Sequence, residues 1–132
     1  MRKIIVPVIL FFSLTAFFGF GKSKEPLKNT QITQEQFDEL KNTNEPLFIG
    51  FNATWCGQCR KQDAALFEIK DNYQNKAKIF WMNWDKRKEY NISYPKQRTT
   101  IVFYKKGQII DQLIGENNKD KIQEFLDKNI YK

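Results

Sequence analysis

The sequence of 132 residues contains no histidine and only two cysteines. Without histidine, and without further cysteines, the four ligands of a usual zinc site cannot be assembled. Covalent haem attachment is excluded as well, because Arg60 stands where a C-x-x-C-H motif requires histidine. Cys56 and Cys59 are separated by only two residues, so a bridge between them would barely constrain the unfolded chain. As a structural staple the pair is a poor one. Basic residues outnumber acidic ones, 22 to 15, for a formal net charge of +7, yet no basic stripe forms. Lys86-Arg87-Lys88, Lys96 with Arg98, and Lys105-Lys106 are broken up by acids and apolar residues, without the interleaved aromatics of nucleic-acid binders. Nucleic acid is therefore not an expected partner. What remains is a basic, solvated surface with at most weak attraction to anionic lipid or acidic proteins. Internal repeats and low-complexity segments are also missing.

Long hydrophobic runs are scarce, and the longest opens the chain. Arg2 and Lys3 precede an uncharged stretch from Ile4 to Gly21, which Lys22-Ser23-Lys24-Glu25-Pro26 ends abruptly. A basic start, an apolar centre and small residues near the exit (Gly19, Gly21) form the layout of a secretory signal. No cysteine follows the run, so lipoprotein anchoring is not indicated. Its length is close to the roughly 18 residues at which a spanning helix becomes feasible. Two readings of residues 1–21 stay open, a cleaved signal peptide and an uncleaved membrane anchor formed by residues 4–21. Both place the protein outside the cytoplasm, periplasmic or secreted. Pro7 and the charged borders fit a buried core helix poorly. Loss of Arg2 and Lys3 with a signal would leave about +5 by the same count. Residues 22–32 read as a polar linker and 33–132 as one domain.

Within that domain Thr33-x-x-Gln36 is a capping-box signature, opening a helix with Phe37 and Leu40 inward. Leu47 to Asn52 is nearly continuous in apolar character, as a strand buried on both faces would be. After Cys59 a helical pattern recurs through Leu66, Ile69 and Tyr73. Lys78 to Trp84 reads as a second strand, and Lys86 to Tyr94 as a short irregular helix and loop. Thr100 to Tyr104 and Ile109 to Ile114 form a hairpin about Lys105-Lys106-Gly107-Gln108. Ile122, Phe125, Leu126 and Ile130 give the stripe of a final helix. The order α-β-α-β-α-β-β-α predicts an α/β fold, a central mixed β-sheet with helices on both faces. The cysteines thus fall where a strand ends and a helix begins. Unpaired N–H groups and the positive end of the helix dipole would stabilise a thiolate at Cys56, with Arg60 and Lys61 adding positive charge. Such surroundings make a cysteine nucleophilic, which favours redox chemistry over a structural bridge.

Trp55-Cys56-Gly57-Gln58-Cys59, Ala53 two residues before that tryptophan, and the register through Leu66, Ile69 and Tyr73 resemble the thioredoxin superfamily. Val102-Phe103-Tyr104-Lys105-Lys106-Gly107 resembles the family's late strand and turn. The likeness covers roughly the last hundred residues, about one small domain. It implies a thioredoxin-like fold and dithiol–disulfide exchange with no bound cofactor. Cys56 would attack, and Cys59, one turn inside, would resolve the mixed disulfide. Gly57 and Gln58 complete the active-site loop. Gln58 replaces the family's usual proline and restores an N–H donor. Trp55 either shields the site and meets partners or is a core-edge aromatic.

The resemblance also shows departures. Thr99, with Thr100 in the expected substrate-facing loop, occupies the place of a cis-proline. A non-proline cis bond costs about 2.5–4 kcal/mol, so a trans bond is expected, and a strand-entry role for Thr99 stays open. Gly50 replaces the family's buried aspartate and Trp81 its paired lysine, a loss that is coherent only when both go together. Asp63 is either a substitute proton acceptor or an exposed helix position. Ala64 replaces a kinking proline, predicting a straighter helix.

With the N-terminal run read as an export signal or anchor, the resemblance implies an exported, monomeric oxidoreductase acting on protein disulfides or dithiols. Its small size, without the inserted helical domain of oxidases, favours reduction, with electrons from a membrane dithiol carrier. Two rivals stay open, a thioredoxin-fold binding or chaperone-like module with a non-catalytic cysteine pair, and a Cu(I)-carrying module.

Overall fold

A computed structural model describes residues 30–131. The N-terminal run read as a signal or anchor lies outside the described residues. At the start of α1 (Gln34–Leu40) the capping box is complete. Thr33 Oγ1 accepts the Gln36 N–H at 3.1 Å, and Gln36 Oε1 accepts the Thr33 N–H at 2.9 Å. These two bonds satisfy donors that the helix itself cannot. The chain then enters β1 (Leu47–Asn52), whose six residues are all buried. β1 pairs in parallel with β2 (Lys78–Asn83) on one side and antiparallel with β3 (Thr100–Lys105) on the other. β4 (Gln108–Ile114) closes the order β2-β1-β3-β4 and alternates exposed and half-buried residues, as an edge strand does. The expected mixed sheet is the one found.

A parallel pair needs a crossover, and α2 (Gly57–Ile69) supplies it. On that face Phe48, Leu66, Ile69, Tyr73, Trp81 and Phe103 form a core that α3 (Lys119–Ile130) completes with Ile122, Phe125 and Leu126. On the opposite face Phe37 of α1 and Ile32 join Leu47, Ile49, Phe51, Val102 and Tyr104. Helices therefore cover both faces. Tyr104 is almost fully buried, its hydroxyl donates to the Ser93 carbonyl, and burial holds its phenol well above the usual tyrosine range.

Three boundaries differ from expectation. The stretch read as a linker to residue 32 has already joined the fold by Gln31, which bridges to Trp81. Ile32 is fully buried and donates its N–H to the Trp81 carbonyl at 3.0 Å. The polar average of the stretch conceals that single core residue. The helix expected to reach Tyr73 is α-helical only to Ile69, and a 3-10 turn over Lys70–Tyr73 then keeps Tyr73 buried. Trp84 leaves β2 to open a 3-10 helix (Trp84–Glu89), because the Asn83 side chain accepts the Asp85 N–H and caps it. α2 runs unbroken through Ala64.

Candidate active site

β1 carries the chain into the site. Ala53 is buried, and its carbonyl accepts the Cys56 N–H at 3.1 Å, turning the chain into α2. Cys56 is the N-cap, with extended backbone at φ −98° and ψ 116°. Its sulfur accepts the Cys59 N–H at 3.3 Å, while its carbonyl accepts the Arg60 N–H at 3.1 Å. Sulfur thus stands where a capping oxygen ordinarily would, facing an orphan donor and the positive end of the helix. Cys56 and Cys59 are joined as a disulfide, with their Cα atoms 5.2 Å apart.

The two sulfurs have different surroundings. Cys56 is 8 % exposed and Cys59 0 %. Cys56 opens on a groove of about 460 Å³, which it lines with Trp55, Gln58, Arg98 and Thr99. Cys59 borders a separate cavity of about 170 Å³ with Asn52, Asp63 and Trp81. A larger concavity, about 620 Å³ beside Lys41 and Lys106, is lined by neither cysteine.

Trp55 is 60 % exposed, so it is no core-edge aromatic. Its indole N–H donates to Asp85 Oδ2 at 2.8 Å, and the Arg98 guanidinium lies 4.8 Å from its ring centre. The two contacts hold a large apolar side chain upright beside Cys56. Gly57 and Gln58 are exposed at the tip of the turn.

Thr99 approaches from the loop before β3. Its Oγ1 is 2.8 Å from Cys59 Sγ and 3.7 Å from Cys56 Sγ. No peptide bond is cis among the described residues, but Thr99 has a left-handed φ of 58°. Such a conformation is uncommon for a β-branched residue. Thr100, read with it as facing substrate, is fully buried. Its hydroxyl donates toward the carbonyls of Gln97 and Arg98, so it braces the loop from within.

Gly50 and Trp81 are register partners across β1 and β2. A Cβ at Gly50 would lie 3.4 Å from Asn52 Nδ2 and 3.5 Å from Leu66 Cδ2. Trp81 is buried against the same core as Leu66, so an indole stands where the resemblance implied a charged partner. Asp63 is 4 % exposed, which removes its reading as a solvated helix position. Asn52 is also buried, and neither atom of its amide has a hydrogen-bond partner among the described residues.

Sequence reasoning missed Gln62. It is fully buried, and its Nε2 donates to the carbonyls of Thr99 at 3.1 Å and Glu116 at 2.8 Å. The signal was present, because Gln62 is a polar residue on the inward stripe that continues through Leu66, Ile69 and Tyr73. Asp85, the partner of Trp55, carried no such local mark.

The chain matches the family model named Thioredoxin over residues 28–128. It is 30 % identical over 103 residues to a thioredoxin of Pyropia yezoensis, covering 76 % of this chain and 96 % of that one. Thioredoxin 1 of Nostoc is 28 % identical over 102 residues, with 76 % and 95 % covered. Among solved structures, a Malassezia sympodialis thioredoxin superposes with a TM-score of 0.60 at 25 % identity, covering 76 % of this chain and 87 % of that one. Trxlp of Edwardsiella tarda gives the same TM-score at 24 % identity, with 73 % and 95 % covered, a likeness of fold. With its bonded Cys56–Cys59 pair at the start of α2, the chain belongs to the thioredoxin family and is a thiol–disulfide oxidoreductase.

Proposed function

We propose that this protein is an exported reductant of protein disulfides, monomeric and without a bound cofactor. Cys56 attacks a substrate disulfide, and Cys59 then attacks Cys56 to release the reduced substrate. The observation that carries the order of the sulfurs is their unequal access. The 460 Å³ groove reaches Cys56, while Cys59 is fully buried behind it. Trp55 and Arg98 at the groove rim offer a flat apolar surface and a positive charge to an extended peptide segment. The proton that Cys59 must shed has a destination in the cavity it shares with Asp63. Oxidised protein returns to the dithiol by accepting electrons from a membrane dithiol carrier, the donor an exported reductase requires.

The reduction potential of the Cys56–Cys59 couple tests the direction. Exchange proteins span about −270 to −120 mV, with reductants at the low end. Equilibration of the full chain with defined thiol–disulfide buffers should place this couple in the lower half of that span. A value near the upper limit would make the protein an oxidant and overturn the proposed direction.

A further inference from the structure

We propose that Thr99 is a further catalytic residue of the exchange, its hydroxyl donating a hydrogen bond to the sulfur of Cys59 when that sulfur is ionised. The proposal rests on the reading above that Cys59 resolves the mixed disulfide. Thr99 Oγ1 lies 2.8 Å from Cys59 Sγ and 3.7 Å from Cys56 Sγ, so the buried sulfur has first claim on its one proton. An ionised sulfur can only accept, and the hydroxyl is therefore the donor of the pair. Cys59 has no access to solvent, and its own N–H is committed to Cys56. A buried charge with so few donors gains much from each one it has.

The backbone makes the same point independently. Thr99 holds a φ of 58°, costly for a β-branched side chain. Three hydrogen bonds impose it. The Thr99 N–H donates to the Phe51 carbonyl at 2.9 Å, and the Thr99 carbonyl accepts from Gly115 N–H at 2.7 Å and from Gln62 Nε2 at 3.1 Å. Thr99 is thereby pinned to β1, to the residue after β4 and to α2 at once. The pinned backbone delivers the hydroxyl to the sulfurs rather than to solvent.

In the resolving step the Cys59 thiolate attacks Cys56 Sγ of the mixed disulfide. The Cys56–Cys59 bond forms as the Cys56–substrate bond breaks, and the electron pair leaves on the substrate sulfur, which takes a proton from water. The cysteine pair is oxidised and the substrate disulfide reduced, by two electrons. Thr99 keeps its proton throughout. When a donor dithiol later attacks Cys56, Cys59 departs as a thiolate and meets the same hydroxyl.

Rapid mixing of the reduced full chain with dithiobis-nitrobenzoate separates the steps. A bimolecular phase releases one coloured thiolate as Cys56 attacks, and a unimolecular phase releases the second as Cys59 resolves. Thr99→Val should slow the second phase about 10- to 100-fold, the factor carried by a hydrogen bond to a charged group, and move its pH midpoint upward. The first phase should change far less. Thr99→Ala, free of the β-branch at positive φ, should show the same loss, and Thr99→Ser should retain most of the rate. A second phase of wild-type rate and pH midpoint in both hydroxyl-free variants overturns the proposal, as does equal slowing in Thr99→Ser. If the wild-type chain has no unimolecular phase, or Cys56→Ala reacts as fast as the wild type, the order of the sulfurs fails and this proposal fails with it.

Discussion

Cys59 has no exposed surface, yet in the proposed resolving role its sulfur must lose a proton before it can attack. The resemblance implied that the usual buried carboxylate is missing, and Gly50 and Trp81 indeed fill that region with a backbone and an indole. A different carboxylate is nearby. Asp63 lies one turn beyond Cys59 on α2, is 4 % exposed, and borders the same cavity. A base placed there can take the proton into a space bounded by polar groups rather than into the core. Asp63→Asn should therefore slow release of substrate from the mixed disulfide by at least about tenfold near neutral pH, a modest share of what a positioned base supplies. The deficit should shrink as pH rises, because a thiol that ionises unaided needs no base. A release rate unchanged by Asp63→Asn at every pH would remove the carboxylate from the mechanism.

α2 and α3 hold the site from behind, and α3 is tied to the sheet by one carboxylate. Asp111 of β4 accepts from Asn129 Nδ2 at 3.0 Å and pairs with Lys128 Nζ at 3.2 Å. Partial burial pulls its carboxyl upward, but the bonds from Asn129, Lys128 and the Gln112 N–H outweigh it and leave the value below the usual carboxylate range. A carboxyl depressed in the folded state stabilises the fold fully above its unfolded value of about 3.9, and the contribution fades as pH falls through the folded value. Asp111→Asn should cost about 1 kcal/mol at neutral pH, the net worth of such a hydrogen bond. Denaturant midpoints measured down the acid limb should converge with the wild type below the folded-state value. Parallel acid limbs would show that Asp111 does not couple α3 to β4. Tyr73 makes a second tie, donating to Asp127 Oδ1 at 2.7 Å, and its phenol is pushed far above the usual range by burial and by that carboxylate.

How far the molecule could be read from its residues depended on the range of the contact involved. Patterns that close within a few residues were legible. They include the Thr33–Gln36 capping box, the apolar run of β1, the stripe of α3 and the cysteines at the start of α2. Hydropathy fixes which face of an element turns inward, but not what meets it there. The approach of Thr99 to Cys59 joins residues 40 apart in sequence, and the grip of Gln62 on Thr99 and Glu116 spans 37 and 54 positions. No local signal carries such distances. Asp63 illustrates the limit, since a charged residue defaults to solvent unless the cavity it borders is known. The N-terminal run bears on where the chemistry happens. Fusion of residues 1–30 to a reporter that works only outside the cytoplasm should give an active reporter, and a fusion retained in the cytoplasm would remove both the signal and the anchor reading. The central claim, exchange through Cys56 with release by Cys59, is tested most directly by trapping. A mixed disulfide on Cys56 is released quickly only by a nearby second thiolate. Cells expressing Cys59→Ala should accumulate reducible, higher-mass complexes with substrate proteins, and cells expressing Cys56→Ala should not. Equal trapping by both variants, or none by either, would contradict it.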